Sequence, residues 1–235
     1  MSRLNALGQP VGDPVPGWSP RETPARTAMA GRFCRVEPLA PDRHAADLFA
    51  ANSEDREGRM WTYLPFGPYA SFAEYLDYAK AAAVSETRLT YAIVTDKAVG
   101  VASYLNINRS AGSIEVGALA YSPGLQRTPA STEAMFLMMR RVFDELGYRR
   151  YEWKCNSLNA ASRAAAERLG FRYEGLFRQA DVVKGGNRDT AWFSIVDGEW
   201  PALKAAFTRW LDPANFDAAG HQRESLSSLT RPAPP

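Results

Sequence analysis

The chain has 235 residues, 46% of them hydrophobic, which suffices for one domain with a substantial core. Its formal charge of +2 leaves no basic field of the kind that draws nucleic acid. Two cysteines (Cys34, Cys155) and two histidines (His44, His221), far apart in sequence, give neither a disulfide framework nor metal-ligand spacing, so no metal is expected.

In chain order, Met1 to Ala30 is rich in proline and glycine without apolar periodicity, and reads as an extended or disordered arm (1–30) pinned by Trp18. Arg32 to Leu39 reads as a first strand. Asp42 is placed to cap a helix carrying Ala46, Leu48 and Phe49, and a second helix is expected over Phe72 to Ser85. Between them, the aromatic run Trp61 to Tyr69 either walls a substrate pocket or covers the core.

Three strands follow, Arg88 to Thr95, Ala98 to Asn106 and Ser113 to Tyr121, and their short connections require antiparallel pairing. In the third, Ile114, Val116, Ala118 and Ala120 alternate against Ser113, Glu115, Gly117, Leu119 and Tyr121, so Glu115 is expected to share a face with Tyr121. Pro123 and Gly124 end that strand, and Pro129 suits the first turn of a helix running to Leu146. The N–H groups of Ala130, Ser131 and Thr132 then lack intrahelical partners and point, with the positive end of the helix dipole, at the preceding turn, which makes an anion site without a charged side chain. On this helix Arg140, Arg141, Asp144 and Glu145 read as a solvated face.

Tyr151 to Asn156 is expected as a strand parallel to Ser113 to Tyr121, because a helical crossover separates the two. Trp153 and Cys155 belong to its core side. Asn159 caps a short helix ending at Gly170, and Phe171 enters a hairpin that turns at Lys184 to Asn187 and returns over Arg188 to Val196, its turn fixed by an Arg188–Asp189 ion pair. Pro201 opens a last helix carrying Leu203, Ala206, Phe207, Trp210 and Leu211. The domain therefore spans 31–212, and 213–235 reads as a disordered tail.

The order of the strand, the Gln126-Arg-Thr-Pro-Ala-Ser131 turn, the helix, Asn159-x-x-Ser162, Glu167-Arg-Leu-Gly-Phe171, Glu174-Gly175 and Asp189 resembles the GCN5-related N-acetyltransferases (GNAT), and within them the ribosomal-protein N-terminal acetyltransferase group. The resemblance covers Arg32 to about Leu211. It implies an α+β fold in α/β/α layers, with a mixed, mostly antiparallel sheet, one central parallel strand pair and flanking helices. It also implies an enzyme that moves the acetyl group of acetyl-CoA to a primary amine, most simply a protein or peptide N-terminal α-amine. The alternatives are a small amine or aminoacyl nucleotide as acceptor, or an acyl-CoA-binding regulator without turnover.

Residue by residue, Gln126, Arg127, Thr128, Ala130, Ser131 and Thr132 match the family's pyrophosphate turn, with Pro129 where glycine is usual and Arg127 available to bond phosphate instead. Leu119 offers the backbone amide that polarises the thioester, with Tyr121 beside it. Asn159 matches the pantetheine contact, and Ser162 matches a position that protonates the leaving thiolate, with Tyr121 and Tyr151 as alternative donors. Glu115 is the expected general base, working through water. A lysine-like amine with a pKa of ~10.4 is almost wholly charged at neutral pH, whereas an α-amine at ~7.8 is already more than a tenth neutral and asks less of a base. The expected partners are acetyl-CoA and the amine, with neither nucleic acid nor membrane. The expected location is cytoplasmic, with oligomeric state open, a homodimer included.

Overall fold

The computed structural model describes residues 3–231; positions 1–2 of the arm and 232–235 of the tail lie outside the described residues. The strands in chain order are β1 (Arg3–Leu4), β2 (Pro10–Val11), β3 (Met29–Ala30), β4 (Arg35–Pro38), β5 (Arg88–Val94), β6 (Ala98–Asn108), β7 (Ser113–Tyr121), β8 (Arg150–Asn156), β9 (Arg172–Val183) and β10 (Gly186–Val196). The helices are α1 (Pro41–Asn52), α2 (Phe72–Val84), α3 (Pro129–Arg140), α4 (Ala160–Arg168), α5 (Trp200–Leu211) and α6 (Leu226–Thr230).

Eight strands form one sheet in the order β3-β4-β5-β6-β7-β8-β10-β9, antiparallel except for the central pair β7 and β8. That pair is parallel because α3 carries the chain over the sheet between them. The parallel register holds only from Ser113 opposite Arg150 to Val116 opposite Trp153. Beyond it β7 stays with β6, and β8 stays with β10. The two strands part and leave a fork in mid-sheet.

On one face, α1 and α2 pack over the first half of the sheet with Leu48, Tyr75, Ala92, Val101 and Ala120. On the other, α3, α4, α5 and α6 close over Tyr104, Ile114, Val116, Tyr151 and Phe193. The expected α+β sandwich is thus formed. No helix among the described residues is long and apolar enough to cross a membrane.

Several details depart from the sequence expectation. Asp42 lies inside the first turn of α1, whose N-cap is Ala40. His44 serves that end instead: its Nδ1 accepts the Ala40 N–H at 3.1 Å, while burial, followed by the Arg43 charge, holds its pKa below the usual histidine value. Arg141 is buried, not solvated, because residues of the arm cross above it and their Thr27 and Ala28 carbonyls accept its guanidinium N–H groups. Arg188 and Asp189 form no ion pair; Asp189 instead accepts the Gln179 N–H at 2.7 Å and Asn187 Nδ2 at 3.0 Å.

The arm is not simply extended: β1 and β2 pair in a short antiparallel hairpin and β3 joins the edge of the main sheet, while Trp18 does anchor the arm, donating from Nε1 to the Ser110 carbonyl at 2.8 Å. After Pro213 the chain folds back, and α6 buries Leu226 completely in the core. The aromatic run covers the core: Trp61 is buried and stands edge-on to Phe66 and Tyr69. Both cysteines are buried and free, and burial, with help from the Glu133 carboxylate, pushes the Cys34 thiol up to about 12.

Candidate active site at the sheet fork

The end of β7 carries a bulge. Ser103 pairs with Gly117 and Val101 with Ala120, so two residues of β7, Ala118 and Leu119, stand against Ala102 alone, and Ala118 takes φ +50°. The extra residue exchanges the two faces. Glu115 and Gly117 share a face with Ala120, whereas Tyr121 turns to the opposite side with Ile114 and Val116. The expected grouping of Glu115 with Tyr121 is therefore corrected: strict alternation fails at the bulge. The bulge also disrupts the ladder beside Leu119, as a free N–H at that position requires.

Tyr121 has its hydroxyl buried without a hydrogen-bond partner, as does Tyr151. Burial pushes both phenols well up. Both side chains face the core under α3 to α6. What Tyr121 offers the site is backbone: its carbonyl accepts Gln126 Nε2 at 2.9 Å and so folds the Gln126 side chain back onto the strand end.

The turn into α3 is only partly as expected. Thr128 is the N-cap, and its Oγ1 already accepts the Ser131 N–H at 3.2 Å; the Thr132 N–H reaches the Thr128 carbonyl at 3.4 Å. Of the three amides expected to be free, only that of Ala130 has no partner among the described residues, because a threonine at the cap satisfies the donors next to it. Arg127 adopts φ +61°, and its N–H is free as well. Its exposed guanidinium has no carboxylate partner among the described residues. Pro129 sits at the first helical position, where its missing N–H costs nothing. Free N–H groups at 127 and 130, the dipole of a twelve-residue helix and an unpaired arginine fit a phosphate group.

Across the fork, Asn159 Oδ1 accepts the Ser162 N–H at 3.0 Å and caps α4. Its Nδ2 has no partner among the described residues, so one side chain serves the cap and still offers a donor. Ser162 Oγ accepts Trp153 Nε1 at 3.0 Å and hydrogen-bonds the Cys155 sulfur, partly offsetting the rise that burial imposes on that thiol. Sequence reading placed all these groups on the right elements.

Sequence reading missed the surroundings of Glu115. Glu115 is buried; Asn106 Nδ2 donates to its Oε2 at 2.7 Å, and Lys154 Nζ lies 2.8 Å from the same oxygen. Lys154 also lies 3.0 Å from Glu152 Oε2 and 4.0 Å from the Trp192 ring centroid. None of the other expected site residues hydrogen-bonds to Glu115 or forms an ion pair with it. The available signal was the alternation Glu152, Lys154 along β8, readable only once its register against β7 is known. The aromatic run is tied to its neighbours: Lys184 Nζ, from the β9–β10 hairpin, donates to the Trp61 carbonyl at 2.8 Å, and Tyr63 Oη donates to the Leu158 carbonyl at 3.2 Å.

Comparison with known proteins bears on the whole arrangement. Residues 35–172 match the family model described as acetyltransferase (GNAT) domain. Among solved structures, a GCN5-related N-acetyltransferase from Brucella melitensis is 46% identical, with 92% of this chain and 99% of that one covered and a TM-score of 0.90. A probable acetyltransferase (GNAT family) from Chromobacterium violaceum is 39% identical over 83% of this chain and 98% of its own, at a TM-score of 0.77. RimL, a ribosomal L7/L12 alpha-N-protein acetyltransferase in complex with coenzyme A, shares the fold at 19% identity over 72% and 98%, with a TM-score of 0.63. None of the curated proteins compared matches the sequence.

Proposed function

The chain belongs to the GNAT acetyltransferase family and is an acetyl-CoA-dependent N-acetyltransferase, and we propose that its acceptor is the α-amino group at the N-terminus of a protein or peptide. The observation that carries this reading is the ion pair of Glu115 with Lys154 at 2.8 Å. A carboxylate already matched to an ammonium suits an amine that parts with its proton readily. An α-amine, at ~7.8, does so far more easily than a lysine side chain at ~10.4.

In this reading Glu115 takes the proton of the attacking amine through a water molecule. The Leu119 N–H, at the bulge, polarises the thioester carbonyl as charge develops on its oxygen. Ser162 returns a proton to the departing sulfur. Gln126, Arg127, Thr128, Ala130, Ser131 and Thr132 form the phosphate turn, Arg127 supplying charge-assisted bonds, and Asn159 Nδ2 holds the pantetheine arm. Acetyl-CoA supplies the activated acyl group, and the chain supplies positioning and proton transfer.

The test is release of free thiol from acetyl-CoA across a panel of peptides with free α-amines, peptides with blocked N-termini and a lysine, and small-molecule amines. Faster turnover of the free α-amine peptides is expected. Turnover confined to small amines or to lysine side chains overturns the acceptor assignment, and no turnover with any amine despite acetyl-CoA binding supports a regulator instead.

A further inference from the structure

Glu115 and Glu152 stand directly opposite each other in the parallel register, one from each arm of the fork, on the same face of the sheet. Two carboxylates so placed repel and turn away from one another unless a cation joins them. Lys154 is that cation. It is the first residue of β8 on this face beyond the last paired position, and its Nζ reaches back across the opening to Glu115 Oε2 at 2.8 Å while holding Glu152 Oε2 at 3.0 Å. The side chains of Lys154, Glu115 and Glu152 are only 15%, 7% and 12% exposed, so water screens the arrangement little.

The rest of the face keeps Lys154 in place. Trp192, opposite it on β10, lays its ring under the ammonium, and Phe177 packs against that ring at 4.3 Å. Arg150 Nε donates to Glu152 Oε1 at 2.6 Å and its far end binds Glu174, which in turn accepts the Ser194 hydroxyl at 2.7 Å. Glu152 is thereby fixed from its other side.

The two oxygens of Glu115 are then inequivalent. Oε2 takes both Asn106 Nδ2 and Lys154 Nζ. Oε1 has no partner among the described residues and lies beside Gly117, where a Cβ would stand 3.2 Å from it. Gly117 is the first residue of β7 past the paired register, so the free oxygen is turned to the place where the strands part.

We propose that Lys154 is a positioning residue for acetyl transfer: with Asn106 it ties Glu115 Oε2 across the fork, so that Oε1 is the oxygen presented toward the acceptor amine. The inference rests on the reading of Glu115 as the base. It assigns Lys154 no contact with acetyl-CoA or with the reacting atoms.

The experiment compares K154M, K154R and the double variant K154M/E152Q with wild type and E115Q, using the fastest acceptor of the amine panel and recording thermal melts throughout. K154M leaves two facing carboxylates without their cation and is expected to melt lower; E152Q removes that repulsion, so K154M/E152Q is expected to regain part of the lost stability. Its kcat is nevertheless expected to stay about tenfold or more below wild type with KM for acetyl-CoA unchanged, as for a misplaced catalytic group. K154R, which keeps a cation on both carboxylates, is expected to stay within about threefold of wild type. Wild-type kcat in K154M/E152Q overturns the proposal, as does a crystal structure of that variant with the Glu115 carboxylate unmoved. E115Q separates the two failures: if it is inactive while K154M/E152Q is not, only the positioning role falls, and if E115Q turns over at the wild-type rate, the base assignment falls with it.

Discussion

Replacing Glu133 with alanine tests how the N-terminal half of α3 is held. The Glu133 carboxylate is 4% exposed and points away from the helix into the turn between β3 and β4, where it accepts three backbone N–H groups: Arg32 at 2.7 Å, Phe33 at 2.6 Å and Cys34 at 2.9 Å. Gly31 makes room for it, since a Cβ there would stand 2.3 Å from the carboxyl carbon. Removing the carboxylate leaves the buried Cys34 N–H unsatisfied, at a cost of about 1–3 kcal/mol, while the more exposed Arg32 and Phe33 amides regain water and lose about 0.5–1.5 kcal/mol each. The expected total is about 3 kcal/mol, which for a chain of this size lowers Tm by about 6–12 °C. Thermal and urea melts of E133A read this directly. G31A, which displaces the same carboxylate from the opposite side, is expected to act in the same direction. A fall in Tm below about 2 °C for E133A would refute the clamp, because one unsatisfied buried donor alone exceeds it.

Three further outcomes are expected. Arg127→Ala is expected to weaken acetyl-CoA binding about tenfold, the worth of one charge-assisted phosphate bond, in a calorimetric titration; unchanged affinity rejects phosphate binding by that side chain. Asn159→Asp retains an oxygen to cap α4 but lacks the amide donor, so its Tm is expected to match wild type while acetyl-CoA binds more weakly; a lower Tm with unchanged affinity would make the asparagine a cap only. His44 accepts the Ala40 N–H only when its ring is neutral, and its folded-state pKa is depressed by burial, so its contribution is complete above the unfolded value of about 6.5 and is lost as pH falls below it. Wild-type Tm is thus expected to drop between about pH 7 and pH 5.5 more steeply than that of His44→Gln, and parallel curves would refute the assignment.

Local signals carried most of the elements. Asn159 caps its helix through a side-chain oxygen, Pro129 opens α3, and Gly170 takes φ +91° after α4. These are properties of a few adjacent residues, which a linear reading can weigh. Two of the misses involve partners distant in sequence. Arg141 has the spacing of a surface charge, and what buries it is backbone more than a hundred residues earlier. Leu226 sits in a polar stretch that signals a tail, and only the groove left by α4 and α5 gives it a place.

The strand Ser113 to Tyr121 shows why the site was harder to read than the fold. A bulge is a single extra residue, and its one local mark is Gly117, a glycine inside the strand; alanine at φ +50° is held in that conformation by the surrounding ladder, not by its own preference. Yet that residue reverses every face assignment after it, turning Tyr121 into the core while Glu115 stays beneath the fork. It also breaks the ladder beside Leu119. Hydrophobic alternation reports which side of a strand is buried, and here both sides are buried, so the parity error left no apolar residue exposed to betray it. The same double burial explains Lys154: a lysine among half-buried strand residues needs anionic partners, and two glutamates facing each other across a parallel pair provide them only where the register of β7 against β8 sets one opposite the other.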